Sequence, residues 1–216
     1  MKVVVTGASN GIGKAIAEEF LTNGHNVVGI DLQSKTISDK NYTHFITDIS
    51  YKENLPNILG VEVLINNAGV QNSGQDVEVN LMGTIYCTEK YAMTPDIKAV
   101  VNIASTSGHT GAEFPEYAAS KGGVLAYTKN VAMRIAEYGA TCNSISPGGV
   151  KSRLNSHIMD SPKMWEEVLG ETLLNKWATV NEIAKWVYFV AVTNQSMTGQ
   201  DIIIDNGELC KFNFVW

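Results

Sequence analysis

Nothing in this chain is both long and apolar. Its first residues, MKVVVTGASNGIG, offer one lysine and three valines before turning polar and glycine-rich, too short a run for a signal peptide. No later stretch approaches the ~20 apolar residues a membrane helix requires. Cysteine is scarce: Cys87, Cys142 and Cys210 are far apart, form no CxxC pair and are odd in number. That pattern excludes a disulfide framework and points to free thiols in a reducing compartment. The four histidines, His25, His44, His109 and His157, show no ligand spacing, so no metal site is expected. Basic residues are outnumbered 16 to 22 by acidic ones, a net charge of −6, which excludes a nucleic-acid backbone as partner. There is no run of like charge, no repeat and no linker, and only 5 prolines. What is present is ordinary globular material, 216 residues of which 44% are hydrophobic and 18% charged. The expectation is one soluble, cytoplasmic domain spanning residues 1–216.

Short apolar runs alternate with longer amphipathic stretches. KVVVT (2–6), NVVGID (26–31), THFITDI (43–49), VEVLIN (61–66), KAVVNIAS (98–105), ATCNSIS (140–146) and QDIIID (200–205) read as strands. Helical segments fill most gaps, notably about 75–93, 115–138 and 181–193, and Gly24 sits where a helix would end. Continuous β-branched runs, rather than alternating ones, mean strands buried on both faces. Repeated strand–helix alternation then predicts an α/β fold, a Rossmann-type doubly wound parallel sheet of about seven strands with helices on both faces.

The first strand runs straight into TGASNGIG, a turn that opens a helix and includes Gly7, Ser9, Asn10, Gly11, Ile12 and Gly13. Glycine lets the backbone approach a ligand closely, and a helix start presents unpaired N–H groups to a pyrophosphate. The spacing is G-x-x-x-G-x-G rather than the general dinucleotide fingerprint G-x-G-x-x-G. Asp31 closes the second strand, where a carboxylate accepts hydrogen bonds from the ribose 2′-OH of NAD and repels a 2′-phosphate. Asn10 stands just before Gly11, where a basic residue could hold that phosphate. Both cues favour NAD over NADP.

Within YAASK (117–121), Tyr117 and Lys121 are one helical turn apart and share a face. Four motifs occur in order: TGxxxGxG at 6–13, NNAG at 66–69, YxxxK at 117–121 and PGG at 147–149. Together they resemble the classical short-chain dehydrogenase/reductase family, and the resemblance covers essentially the whole chain. TGQDIIIDNG at 198–207 is similar to that family's last strand.

The resemblance implies a catalytic tetrad of Asn80, Ser105, Tyr117 and Lys121, with Thr106 and Ser107 as alternatives to Ser105. It implies a turn beside the adenine ribose from the Asn66, Asn67, Ala68 and Gly69 stretch, and adenine contacts from Asp48 and Ile49. Pro147 and Gly148 would flank the nicotinamide, Val150 would contact its carboxamide, and Ser152 stands where the family often has threonine. In this chemistry Lys121 and oxidised nicotinamide draw the Tyr117 phenol below its ordinary pKa of ~10, so that it can give or take a proton. Ser105 would hydrogen-bond the substrate oxygen, and Asn80 would anchor a water on a proton path from Lys121.

The intervals from Asp48 to Asn66 and from Asn67 to Asn80 look short for the family, as though a crossover helix and a loop had been trimmed. Residues 151–178, with Met159, Met164 and Trp165, read as a flap closing an apolar substrate pocket. The tail KFNFVW is apolar enough to seal a homodimer or homotetramer interface. The leading reading is an NAD(H)-dependent oxidoreductase of secondary alcohols and carbonyls. The alternatives are an NADPH-dependent 3-oxoacyl-[acyl-carrier-protein] reductase and a non-catalytic dinucleotide sensor.

Overall fold

The computed structural model describes residues 1–112 and 114–211. The tail reading above falls on residues 212–216 and lies outside them. Strand β1 (Lys2–Thr6) leads through the glycine turn into α1 (Gly11–Thr22), then β2 (Asn26–Asp31) and β3 (Tyr42–Ile46). After β4 (Val63–Asn66) a π-helical turn, Val77–Gly83, runs into α2 (Thr84–Tyr91) and then β5 (Ala99–Ile103). The short α3 (Ser107–Thr110) precedes the long α4 (Pro115–Ile135) and β6 (Thr141–Pro147). Next come β7 (Val150–Lys151), α5 (Ser156–Met159), α6 (Pro162–Gly170), β8 (Ala178–Thr179), α7 (Val180–Tyr188) and β9 (Asp201–Ile204).

Seven strands form one parallel sheet, as the apolar runs predict, and their order is β3-β2-β1-β4-β5-β6-β9. Successive side chains feed opposite faces. Val3 and Val5 join Ile16 and Phe20 of α1 and Ile183 and Val187 of α7, whereas Val4 joins Tyr91 of α2 and Val131 and Ile135 of α4. Every one of these is essentially sealed from water, worth about 1.5–3 kcal/mol per large side chain. Two faces each needing cover explain why the strands read as unbroken β-branched runs.

Three departures from expectation have local causes. The helix expected at 75–93 starts as a π turn. There Thr84 Oγ1 donates to the Asn80 carbonyl at 2.7 Å and Thr88 Oγ1 to that of Thr84 at 2.8 Å. Hydroxyls bonded back four residues bend and loosen the helical ladder. The crossover from β3 to β4 holds only a single 3₁₀ turn, Lys52–Asn54, consistent with the short interval in the sequence. A second, two-stranded sheet pairs β7 with β8, bracketing the segment expected as a flap; two-residue strands carry no sequence signal.

Between sheet and helices lies a polar ladder. Asn66 and Asn102 are register partners on β4 and β5, and Asn66 Nδ2 donates to Asn102 Oδ1 and to Thr88 Oγ1, both at 2.9 Å. Asn102 Nδ2 passes the chain on to Thr128 Oγ1 of α4, also at 2.9 Å. No helix among the described residues is long and apolar enough to cross a membrane.

Candidate active site

Strands β4, β5 and β6 deliver their carboxyl ends to one cavity of about 810 Å³, which α1, following β1, reaches at Ile12. Parallel strands bind ligands at this edge, where the strand order reverses on either side of β1. Ile12, Asn67, Gly69, Ser105, Tyr117, Lys121, Pro147, Gly148, Val150 and Ser152 all line it. Ten of the residues singled out from the sequence therefore face one space.

The glycine turn is built to leave room. A Cβ on Gly13 would lie 2.1 Å from the Gly7 carbonyl oxygen and 2.3 Å from Asn67 Nδ2. Asn67 Nδ2 in turn donates to the carbonyls of Thr6 and Gly7 at 3.0 and 3.3 Å, and Thr6 Oγ1 accepts from the N–H groups of Asn67 and Ala68 at 3.0 Å each. The NNAG turn is thereby stitched to the glycine turn. Gly7 and Gly11 adopt positive φ, +69° and +54°, where a side chain is strained. Asn10 occupies the N-cap of α1 but spends its amide on Gln33 Oε1, so its side chain does not cap the helix. The opening N–H groups of α1 suit an anion such as a pyrophosphate, which is the fit a dinucleotide requires.

Asp31 lies beside that turn. Its Oδ2 accepts from Ser9 N and its Oδ1 from Gln33 N, each at 2.8 Å, which fixes the carboxylate at the end of β2. Asp48 accepts from the N–H and hydroxyl of Ser50, and Ile49 is buried against Gly83, where a Cβ would lie 2.6 Å from Ile49 Cδ1. Gly7, Ser9, Asn10, Gly11, Gly13, Asp31, Asp48, Ile49 and Ala68 lie outside the cavity lining.

Lys121 and Tyr117 project from the start of α4, which opens on Pro115. The Lys121 ammonium is 5.8 Å from the Tyr117 ring centroid and donates to the Ile103 carbonyl at 2.9 Å. Burial pushes the Lys121 pKa down to about 8, against a smaller opposing pull from buried Asp76. Asp76 is itself held by the N–H groups of Asn72 and Ser73. Ser105 Oγ accepts from Ser107 N at 3.2 Å, and Thr106 and Ser107 share the lining, so all three hydroxyl candidates stay together. Asn80 is absent from the lining. Its side chain brackets Val70, accepting from its N–H at 2.8 Å and donating to its carbonyl at 2.9 Å, and it also donates to Ser120 Oγ. It holds the loop after NNAG against α4.

One expectation needs correcting. The segment 151–178 does line the cavity, but the pocket is not simply apolar. Leu154, Ile158, Val168 and Trp177 share the wall with Asn155, His157 and Glu171, and Glu208 enters from beyond β9. Glu171 and Glu208 escaped the sequence reading because neither belongs to a motif and only the fold brings them near Tyr117.

The titration of Lys121 sets a testable pH dependence. Its pKa is depressed from 10.5 to about 8, so the charge is present below pH 8 and lost as pH rises through it. If the ammonium supports proton transfer by Tyr117, kcat/KM for carbonyl reduction should fall above about pH 8. A pH–rate profile flat from 7 to 10 would remove Lys121's charge from the mechanism.

The profile of a family described as enoyl-(acyl carrier protein) reductase matches residues 7–208, and the chain belongs to the short-chain dehydrogenase/reductase family. It is 29% identical over 250 residues to a D-beta-hydroxybutyrate dehydrogenase of Rhizobium meliloti, covering 94% of this chain and 96% of that one. It is 28% identical over 236 residues to an uncharacterized short-chain type dehydrogenase/reductase of Sinorhizobium fredii. That match covers 95% of this chain but only 43% of the longer relative. Among solved structures, a mutant 4-hydroxyisoleucine dehydrogenase complexed with NADH and succinate superposes with a TM-score of 0.90 at 24% identity, covering 99% of this chain and 100% of that one. ElxO with NADP bound superposes with a TM-score of 0.86 at 25% identity, covering 97% and 99%. The chain is accordingly an oxidoreductase of this family, whose cofactor is a nicotinamide dinucleotide and whose reaction is at alcohol or carbonyl groups.

Proposed function

We propose that the protein interconverts a small secondary alcohol and its ketone using NAD(H), with Tyr117 as general acid and base. The observation that carries this reading is the convergence of Ser105, Tyr117 and buried Lys121 on one cavity beside the glycine turn. The nicotinamide, when bound against Pro147, Gly148 and Val150, supplies or accepts the hydride. The chain's own groups handle the oxygen. Ser105 donates a hydrogen bond to the substrate oxygen and stabilises its developing charge. Tyr117 gives that oxygen a proton in reduction and takes one in oxidation. Lys121, one turn along α4, favours the phenolate by its charge. Asn80 acts by positioning, since its side chain fixes the Val70 loop that closes one wall.

The choice of NAD rests on Asp31. Its carboxylate is pinned beside the glycine turn, and the nearest lysines before and after it in sequence, Lys14 and Lys35, are engaged with Glu18 and with Tyr42. Asp48, Ile49, Asn67, Ala68 and Gly69 would hold the adenosine half. Residues 151–178, hinged where β7 pairs with β8, would act as the flap of a single domain. Trp186, Phe189 and Ile203, exposed beside the sheet edge, support assembly with further copies in the cytoplasm.

The test is nicotinamide absorbance with NADH and NADPH in parallel, over ketones, aldehydes and 3-oxoacyl thioesters. NADH-selective reduction is expected, and Asp31→Ser should raise NADPH turnover at least about tenfold by removing a charge that repels the 2′-phosphate. NADPH preference in the unsubstituted protein would overturn the role given to Asp31.

A further inference from the structure

The short helix α3 carries a histidine for which the reaction above has no use. His109 Nε2 lies 2.8 Å from Asp201 Oδ2, at the start of β9, and 3.3 Å from Ser146 Oγ on β6. A ring nitrogen facing a carboxylate is the one that carries the proton, so His109 is the donor. The other oxygen of Asp201 accepts from Ser144 Oγ at 2.6 Å and from Ser146 Oγ at 2.9 Å. Ser144 is the register partner of Asp201, and both serines are sealed from water. Three donors, one from α3 and two from β6, thus converge on a carboxylate fixed by the sheet. His109 and Asp201 stand outside the cavity lining, but the residues they hold are part of it.

What the clamp holds is the segment that presents Ser105. Ser105 Oγ accepts from Ser107 N at 3.2 Å, the Gly108 N–H donates to the Ser105 carbonyl at 3.0 Å, and the His109 N–H donates to that of Thr106 at 2.9 Å. A shift of α3 is therefore a shift of Ser105. The same turn bears on α4. A Cβ on Gly108 would lie 2.9 Å from the Lys121 carbonyl carbon and 3.0 Å from Gly122 N, so the two helices meet backbone to backbone at the residue that carries the ammonium. A single helical turn has too few bonds of its own to hold such a contact, and the pin comes from the sheet.

Resting on the oxidoreductase reading, we infer that His109, clamped by Asp201, is a positioning residue that sets the Ser105 hydroxyl level with the Tyr117 phenol. A hydrogen bond to a carboxylate is among the stronger ties available for this purpose. Ser105 follows β5 whereas Tyr117 and Lys121 stand on α4, yet all must converge on one substrate oxygen. A misplacement of about 1 Å there costs about a hundredfold in rate.

The test is a double-mutant cycle with NADH and diacetyl, a readily reduced diketone, together with amide hydrogen exchange over residues 105–111. His109→Ala should lower kcat about 10- to 100-fold, leave NADH affinity within about twofold, and speed exchange across that segment. His109→Gln, whose amide can still donate to Asp201, should restore both. In a Ser105→Ala background the loss from His109→Ala should shrink to about twofold or less, because the group it positions is gone. The His109 side chain is 30% exposed and Asp201 keeps both serines, so neither an empty core nor an unpaired carboxylate confuses the result. Unchanged exchange in His109→Ala overturns the inference whatever the rates, and so do losses that simply multiply in the double variant. Either result leaves the reading of Tyr117 standing. Faster exchange beside a Ser105→Ala variant of undiminished kcat sinks instead the catalytic reading of Ser105.

Discussion

Tyr117→Phe is expected to reduce turnover by about 10²- to 10⁴-fold, the range for loss of a positioned general acid or base. NADH binding should stay within about twofold, because the substitution removes one hydroxyl and nothing else. Phenylalanine keeps the ring that lies 5.8 Å from the Lys121 ammonium and keeps the wall it forms. The hydrogen bond from Lys121 to the Ile103 carbonyl is untouched, so the buried charge retains its main partner. Melting temperature measured on the same preparation separates lost chemistry from lost structure. Stopped-flow hydride transfer and cofactor fluorescence on the same preparation would decide it. Retained turnover would remove Tyr117 from the proton path and shift attention to the hydroxyls of Ser105, Thr106 and Ser107.

Gly13→Ala is expected to damage the protein more than any other single methyl added to the glycine turn. The new carbon would fall 2.1 Å from the Gly7 carbonyl oxygen and 2.8 Å from its carbon, both backbone atoms with little freedom to yield. It would also meet Asn67 Nδ2 at 2.3 Å, prising apart the bonds that join the two turns. Overpacking of this kind costs about 3 kcal/mol, roughly 6–12 °C in Tm for a chain of this size. NADH affinity should drop at least about a hundredfold as the pyrophosphate cradle opens, since a shift of about 3 kcal/mol in the binding-competent turn is of that order. Gly11→Ala is the control. It has open space around it but a φ of +54°, so only left-handed strain of about 1–2 kcal/mol applies. Thermal melts of the two variants side by side test the account, which fails if Gly11→Ala is the more harmful.

Much of this molecule could be read from its residues. The strands β1 and β2 fall where KVVVT and NVVGID predict them, because burial on two faces imposes an unbroken apolar signal. The glycine turn and the YxxxK pair were visible because their chemistry depends on local spacing along the chain. What depends on distant partners was not visible. Asn80 was assigned a place near the proton path, but no local signal announces that its side chain also spans from the Val70 loop to Ser120, 40 residues further on. The polar part of the pocket wall was missed for the same reason. Glu171 and Glu208 are far from Tyr117 in sequence, and only the return of β9 beside β6 brings Glu208 to the PGG wall.

The asparagine ladder between β4 and β5 has a consequence for how reliably the site assembles. A slip of one residue between paired strands would turn every side chain to the opposite face. Here it would also separate Asn66 from Asn102 and leave buried amides facing apolar neighbours, a penalty an all-valine pair would not carry. The ladder thus acts as a key that admits one alignment. That alignment sets the height at which β4 releases Asn67 and β5 releases Ser105. The cofactor end and the substrate end of the cavity are therefore levelled by a polar lock neither of them touches.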